Sequence, residues 1–178
     1  NIRFGNKFSL SQNISFQPSY NNIGYTYVNG SADINFAKRR VKTIENILSA
    51  KYSFTNKMGI TFRARHYLSS VENSEFFVLQ RDGSVQPHTG FHPDANQNVN
   101  FFNIDMVYSW QFAPGSFLNI VWKNATQYYS NEVESHYFKN LTNTIGAENN
   151  NNFSLKVIYF LDYLKLTRSL ASRSKAAS

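Results

Sequence analysis

The chain has no cysteine in 178 residues. That single absence removes disulfide frameworks, thiolate metal sites and thiol nucleophiles. Proline (4) and glycine (8) are scarce, so each stands out as a candidate turn. No apolar run approaches the roughly 18 to 20 residues of a membrane helix, which excludes a helical span. Carboxylates are also short: Asp+Glu 11 against Lys+Arg 18 gives a formal charge of +7 and a pI near 9.6. Such a balance favours anionic neighbours, among them nucleic acid, lipopolysaccharide, phospholipid headgroups and acidic glycans, without choosing between them. The length suits one domain with a core.

What is abundant is aromatic. Phe 16 and Tyr 11 raise the aromatic share to 16%, while the mean hydropathy, −0.44, is that of a soluble protein. The two facts are compatible with a membrane barrel, because only alternate residues of its strands meet lipid. Asn1-Ile2-Arg3-Phe4 alternates from the first residue and carries neither an initiator Met nor a signal peptide. It reads as the end of a strand that begins upstream, and the chain as a fragment or a mature C-terminal piece. "TRSLASRSKAAS" (167–178) is small, polar and basic. It reads as a disordered tail or linker, leaving 1–166 as the folded unit.

Period two dominates between these ends. In "MVYSWQFAPGSFLNIVWKN", Met106, Tyr108, Trp110 and Phe112 fall at every second position, and so do Leu118, Ile120 and Trp122. Ala113-Pro114-Gly115-Ser116 joins the two runs as a hairpin turn. The same alternation follows the Gly5-Asn6-Lys7 turn, with Phe8, Leu10, Ile14 and Phe16 on one face. It recurs over 43–54 and, after a turn at 55–58, over 60–79. A final strand is expected from Phe153 through Tyr159, Leu161 and Tyr163. Residues 18–24, 81–98 and 131–152 read as loops, with Tyr25 to Phe36 as a short strand extension. Apolar spacings of three and four are missing, so helices are not expected and the class is all-β.

About six complete strands and a stub result, with short turns at 5, 55 and 113 alternating with long loops. Tight turns at one end and long loops at the other mark an antiparallel up-and-down transmembrane β-barrel, turns in the periplasm. The alternative is a soluble β-sandwich, such as a carbohydrate-binding module, whose apolar faces pack on each other. Three features favour the barrel. The strands exceed the mean of about 5 to 6 residues in soluble sheets. Their second faces carry continuous polar rows. Aromatic residues crowd the strand ends as a girdle, with Phe54, Phe62, Trp110, Phe112, Trp122, Tyr159 and Tyr163 expected toward lipid. Glu45, Lys51, Arg63, Arg65, Asp105, Lys123 and Lys156 are expected toward the lumen. An open six-strand sheet in lipid would leave costly unpaired edges. The expected partners are therefore missing N-terminal strands or another barrel chain, together with outer-membrane lipid and lipopolysaccharide.

Three stretches carry a family resemblance: "RRVKTIENILSAKYSFTNKMGITFRARHYLSSV" (39–71), "YSWQFAPGSFLNIVWKN" and "NNFSLKVIYFLDYLKL". Together they resemble the C-terminal barrel of the Bacteroidota outer-membrane family DUF5916. Arg-Arg-x-x-Thr, Arg-x-Arg-His-Tyr, Ala-Pro-Gly-Ser and the Leu-Asp-Tyr end are specific together and weak singly. The resemblance implies a bacterial outer-membrane location and a non-enzymatic barrel segment, in a glycan- or nutrient-handling envelope protein or in an outer-membrane complex. It also implies an upstream domain resembling family-9 carbohydrate-binding modules. Members of the family tend to stop soon after the last strand, so residues 167–178 depart from the pattern.

No chemistry-bearing constellation competes with this reading. Arg63 and Arg65 share a register with Glu45 and Lys51, which suits a charged lumen. With Phe112 expected opposite Leu118, Asp105 and Lys123 are diagonal cross-strand neighbours placed to form a structural ion pair. His66 falls on the apolar register, a poor position for acid–base work. His88 and His92 lie four apart, and Asp94-x-Asn96-x-Asn98 resembles the start of a calcium loop, but Val99 stands where such a loop needs glycine. Asp82, Ser84 and His88 share a loop with no scaffold to hold a triad. No cofactor, metal or enzymatic activity is expected, and no motif supports nucleic-acid binding.

Overall fold

A computed structural model describes residues 1–28, 30, 32–161 and 163. Its strands are β1 (Ile2–Phe4), β2 (Phe8–Thr26), β3 (Asn35–Thr55), β4 (Met58–Leu79), β5 (Val85–Pro87), β6 (Gln97–Ala113), β7 (Ser116–Ser130) and β8 (Asn149–Ile158). One helix, α1 (Tyr137–Ile145), precedes β8. The strands form one antiparallel sheet in the order β1-β2-β3-β4-β6-β7-β8, with β5 paired to β4. The all-β expectation holds. The sheet is a meander and it is open: it does not close into a barrel within the described residues, nor does a second sheet pack on it as a sandwich requires.

The period-two residues fall into register across the whole sheet. Phe8, Tyr52, Ile60, Tyr108, Ile120 and Leu155 are successive cross-strand partners, so all six share one face. Their neighbours Ser9, Lys51, Thr61, Val107, Val121 and Ser154 make the matching row on the other. A slip of one residue would exchange the faces entirely, so the pattern itself pins the register. The short turns gather at one end: Ser53 N–H donates to Lys7 O, and Gln111 N–H donates to Lys57 O, both at 2.8 Å.

Several expectations need correction. Residues 18–24 are strand, not loop, because β2 runs on to Thr26 through a bulge between Ser19 and Asn22. Pro18 is tolerated because β2 pairs only with β3 at that height, so one side needs no donor. Asn21, at φ 56°, takes the left-handed conformation that the bulge demands. Residues 81–98 contain β5, and 131–152 contain α1. At the other end β8 stops at Ile158, so Tyr159, Leu161 and Tyr163 are not strand residues. The cause is that β7 begins at Ser116, and Phe117 is the last residue able to pair Ile158. The chain then folds over the Pro114–Gly115 turn, where Phe160 N–H donates to the buried Ser116 Oγ at 3.0 Å. Gly115 has φ 72°, and a Cβ there would stand 2.9 Å from that of Phe160. The expected tail, 167–178, lies outside the described residues.

A small core sits at the long-loop end. Ala37 and Phe76 are cross-strand partners that pack with Val28 and Ala95, and Phe91 joins them edge-on to Phe76. Asn73 ties down the connection to β6, its backbone N–H donating to Asn96 Oδ1 and its amide to Ala95 O. This is little burial for such a sheet. Many large apolar side chains remain exposed, among them Phe16, Ile23, Phe153 and Leu155.

Candidate functional site

The two faces of the lower sheet differ in charge more than in any other property. On the apolar face, the rows from Trp110 up to Ile104 hold no Asp, Glu, Lys or Arg on any strand. Phe54, Phe62, Trp110, Phe112 and Trp122 all belong to this face. From Phe112 to Ile104 the band rises about 26 Å at ~3.3 Å per residue. Phe62 lies in mid-band rather than at a rim. At the short-turn rim Trp110 packs edge-on to Phe112, and Phe112 stacks on Tyr159 with centroids 6.2 Å apart. Trp122 shares the mid-band row of Phe62 through Met106, so it is not at a rim either; it stacks on Phe153, and its indole N–H donates to Asn151 Oδ1 at 2.9 Å. Asn124 and Asn149 continue that amide layer. Tyr163 is exposed and off the strands.

The opposite face carries Arg3, Lys51, Arg63, Arg65, Lys123 and Lys156 against Glu45 and Asp105. All seven expected polar-face residues are therefore brought to one surface. Arg65 Nε donates to Glu45 Oε1 at 2.6 Å. Lys123 and Asp105 approach to 3.9 Å, as their direct cross-strand pairing allows. Both pairs are largely exposed, and such pairs contribute about 0 to 1 kcal/mol. Arg3, Lys51, Arg63 and Lys156 make no ion pair among the described residues, so this surface is cationic overall. Clefts of about 250 and 390 Å³ run along it, sharing Ser9 and Lys51, with Arg3 in one and Arg63 in the other.

The loop candidates do not assemble a reaction centre. Asp82 accepts hydrogen bonds from the Ser84 backbone and hydroxyl at 2.9 and 2.7 Å, a local turn that holds its carboxyl below the usual range. His88 instead stacks on Phe91 with centroids 4.1 Å apart. Among the described residues no three His, Asp or Glu side chains gather as a metal set. No described helix is long and apolar enough to cross a membrane, which does not bear on strands.

Helix α1 was not legible in the sequence pattern. It docks on the apolar face above the charge-free band, where Tyr137 lies edge-on to the buried His66 at 5.1 Å. Asn46 Nδ2 donates to Tyr137 Oη at 3.1 Å. The fully buried Asn140 accepts from Asn98 and Asn100 at 2.8 and 3.3 Å, and donates to Glu134 O and His136 O.

The entrance to α1 is clamped by Glu134. Its carboxylate takes Lys139 Nζ at 2.6 Å and the His136 backbone N–H at 2.9 Å. Lys139 first, then His136, holds the Glu134 pKa at about 2, below the ordinary 4.5. A depressed carboxyl contributes stability that is complete above its unfolded value and is lost as pH falls through the folded one. The clamp should therefore hold at neutral pH and release between 4.5 and about 2. A carbon-detected NMR titration of Glu134 checks this. A midpoint near 4.5 would show that the clamp does not form.

A family profile described as "Domain of unknown function (DUF5916)" matches residues 1–170. No curated protein matches the chain, and no solved structure matches it.

Proposed function

The chain belongs to the family of unknown function DUF5916, and from the sheet it builds we propose that it is a wall segment of a bacterial outer-membrane β-barrel, with no catalytic activity of its own. The charge-free band carries this reading. A sheet whose one face excludes every charge for about 26 Å along the strands, while the other bears six cations, suits hydrocarbon on one side and water on the other. Known outer-membrane bands are about 25 Å tall, with strands tilted by about 35 to 45°. About 26 Å along a strand therefore covers roughly 20 Å of that height, and Trp110 and Phe112 stand at its short-turn rim. The gathered short turns suit the periplasmic side, and the longer connections the outer side.

The open edges complete the reading. Among the described residues, β2 beyond Leu10 has only β3 beside it, and β8 has only β7. In lipid each unpaired backbone group costs several kcal/mol, so further strands from the same polypeptide or another chain close the wall. Lipid and lipopolysaccharide are the partners of the apolar face, and neighbouring outer-membrane proteins are candidates for a complex. A glycan- or nutrient-handling role belongs to the same proposal. It is supported by the family resemblance and by the Ser, Asn and Arg rows of the polar face, which can hydrogen-bond hydroxylated or anionic solutes.

The test uses the native tryptophans. The full chain, refolded with lipid, should migrate differently on a gel before and after boiling. Trp110 and Trp122 should be quenched by brominated phosphatidylcholine. Recovery of a folded, soluble chain without detergent, with tryptophan emission altered by sugar and untouched by brominated lipid, would instead establish the soluble binding module.

A further inference from the structure

Helix α1 is turned the wrong way for a helix in water. The residues buried against the sheet are polar, Asn140 and Thr144 at 0% exposure, whereas Phe138 is 77% and Ile145 51% exposed. At about 100° per residue, Phe138, Leu141 and Ile145 fall within a sector of about 60° on one flank of the helix. Which way that flank points follows from the two polar contacts. Asn140 reaches Asn98 and Asn100, the partners of Ser70 and Leu68. Tyr137 reaches Asn46 and His66, which lie in a row nearer the short turns. Tyr137 thus leans toward the charge-free band and Asn140 away from it. The apolar stripe lies on the Tyr137 side. Lys139 lies on the far side, exposed and held by Glu134, and the exposed Thr142 stands between it and Phe138.

We propose that α1 is an interfacial helix on the outer wall, resting its Phe138–Leu141–Ile145 stripe on the acyl chains of the surrounding bilayer. The inference rests on the barrel reading and adds a contact to it. A loop that plugs a lumen would lie on the cationic face. This one lies on the apolar face, with Tyr137 seated on the His66–Phe102–Thr126 row immediately above the band's Ile104 row, so its stripe is continuous with the band. An amphipathic helix lying in the interface plane, its apolar flank toward acyl chains and its polar side toward headgroups, has this arrangement. Partly polar rings such as Tyr137 fit the same depth.

The absence of native cysteine permits clean single-site labelling. Phe138→Cys, Ile145→Cys, Lys139→Cys and Ile120→Cys would each carry a nitroxide in the full chain, reconstituted in phosphatidylcholine vesicles. Collision with oxygen and with a water-soluble nickel chelate is then measured. The expected oxygen-to-nickel ratio at 138 and 145 is at least about threefold above that at 139, and close to that at 120. Nickel access at 138 and 145 equal to that at 139 overturns the proposal while 120 still reports lipid. Shielding of 138 and 145 from both quenchers also overturns it, showing a protein cover instead. A nickel-accessible 120 removes the barrel reading and this inference with it. Should labelling at 138 unseat the helix, Phe138→Trp gives the same readout through its added emission, which brominated lipid should quench as it quenches Trp122.

Discussion

Arginine at Phe62 is expected to drive the chain out of the bilayer, while arginine at Thr61, the adjacent residue on the same strand, leaves it in place. Both sit on β4, in the middle of the sheet, at nearly one height. Phe62 faces the band, between Ala50 and Met106; Thr61 faces the cationic surface, between Lys51 and Val107. A guanidinium near the hydrocarbon midplane costs about 2 to 4 kcal/mol, while lumen-side changes adjust selectivity with little stability cost. Thr61→Arg adds a charge beside Lys51, a repulsion that salt screens. The measurement is urea unfolding from phosphatidylcholine vesicles, followed by tryptophan emission and boiling-dependent gel migration. Phe62→Arg should lower the lipid-assembled population by about 30-fold or more, as 2 kcal/mol implies. Equal effects of the two substitutions would sink the assignment of faces. A lipid-assembled Phe62→Arg would sink the hydrocarbon environment itself.

That pair of residues also explains how much could be read in advance. Alternation between adjacent positions is a property of the strand backbone, so it survives in sequence wherever the two faces meet different media. The β3–β4 turn, the β6–β7 hairpin and the shared face of Arg63, Arg65, Glu45 and Lys51 were legible for that reason. The Asp105–Lys123 pair was legible too, but as diagonal neighbours with Phe112 opposite Leu118; the structure sets Trp110 opposite Leu118, which makes Asp105 and Lys123 direct partners. Residues 18–24 were not legible, because Pro18 and the Asn21–Asn22 pair carry turn chemistry that here serves a bulge inside a strand. The end of β8 was hidden for a different reason. Tyr159 and Leu161 keep the alternation, but their would-be partner strand has already turned at Gly115.

Helix α1 was missed because its flanks, "NEVES" and "GAENNNN", are those of a polar loop. A signal was present. Tyr137, Asn140 and Thr144 recur at three and four, as do Phe138, Leu141 and Ile145 at three and four. The second set is apolar and does carry helical spacing, so the expectation that such spacing is missing was mistaken; it was overlooked because it spans only 138–145 inside a polar stretch. An inverted helix of this kind becomes visible once one asks what medium its apolar flank meets. The amide cluster beneath it is then a structural necessity, because polar groups buried on the sheet side must find partners.

Replacing Asn140 with leucine is therefore expected to release α1, and replacing Asn98, Asn100 and Asn140 together with leucine is expected to restore its docking. Asn140 uses its full hydrogen-bonding capacity: two acceptances at Oδ1 from Asn98 and Asn100, and two donations from Nδ2 to Glu134 O and His136 O. Leucine has the same branching and heavy-atom count, though bulkier methyl ends, and none of these groups. The single substitution strands the Asn98 and Asn100 donors in a site from which water is excluded, at about 1 to 3 kcal/mol each. A total near 3 kcal/mol shifts the docking equilibrium by about 100-fold. The triple substitution removes the stranded donors, and apolar replacement of both partners is close to neutral. Amide exchange across residues 137–145 and trypsin cleavage after Lys139 report the undocked fraction. Both should rise in Asn140→Leu and fall back in the triple variant. A triple variant as open as the single one would show that the hydrogen bonds themselves, and not the cost of burying unpaired amides, hold α1 on the sheet.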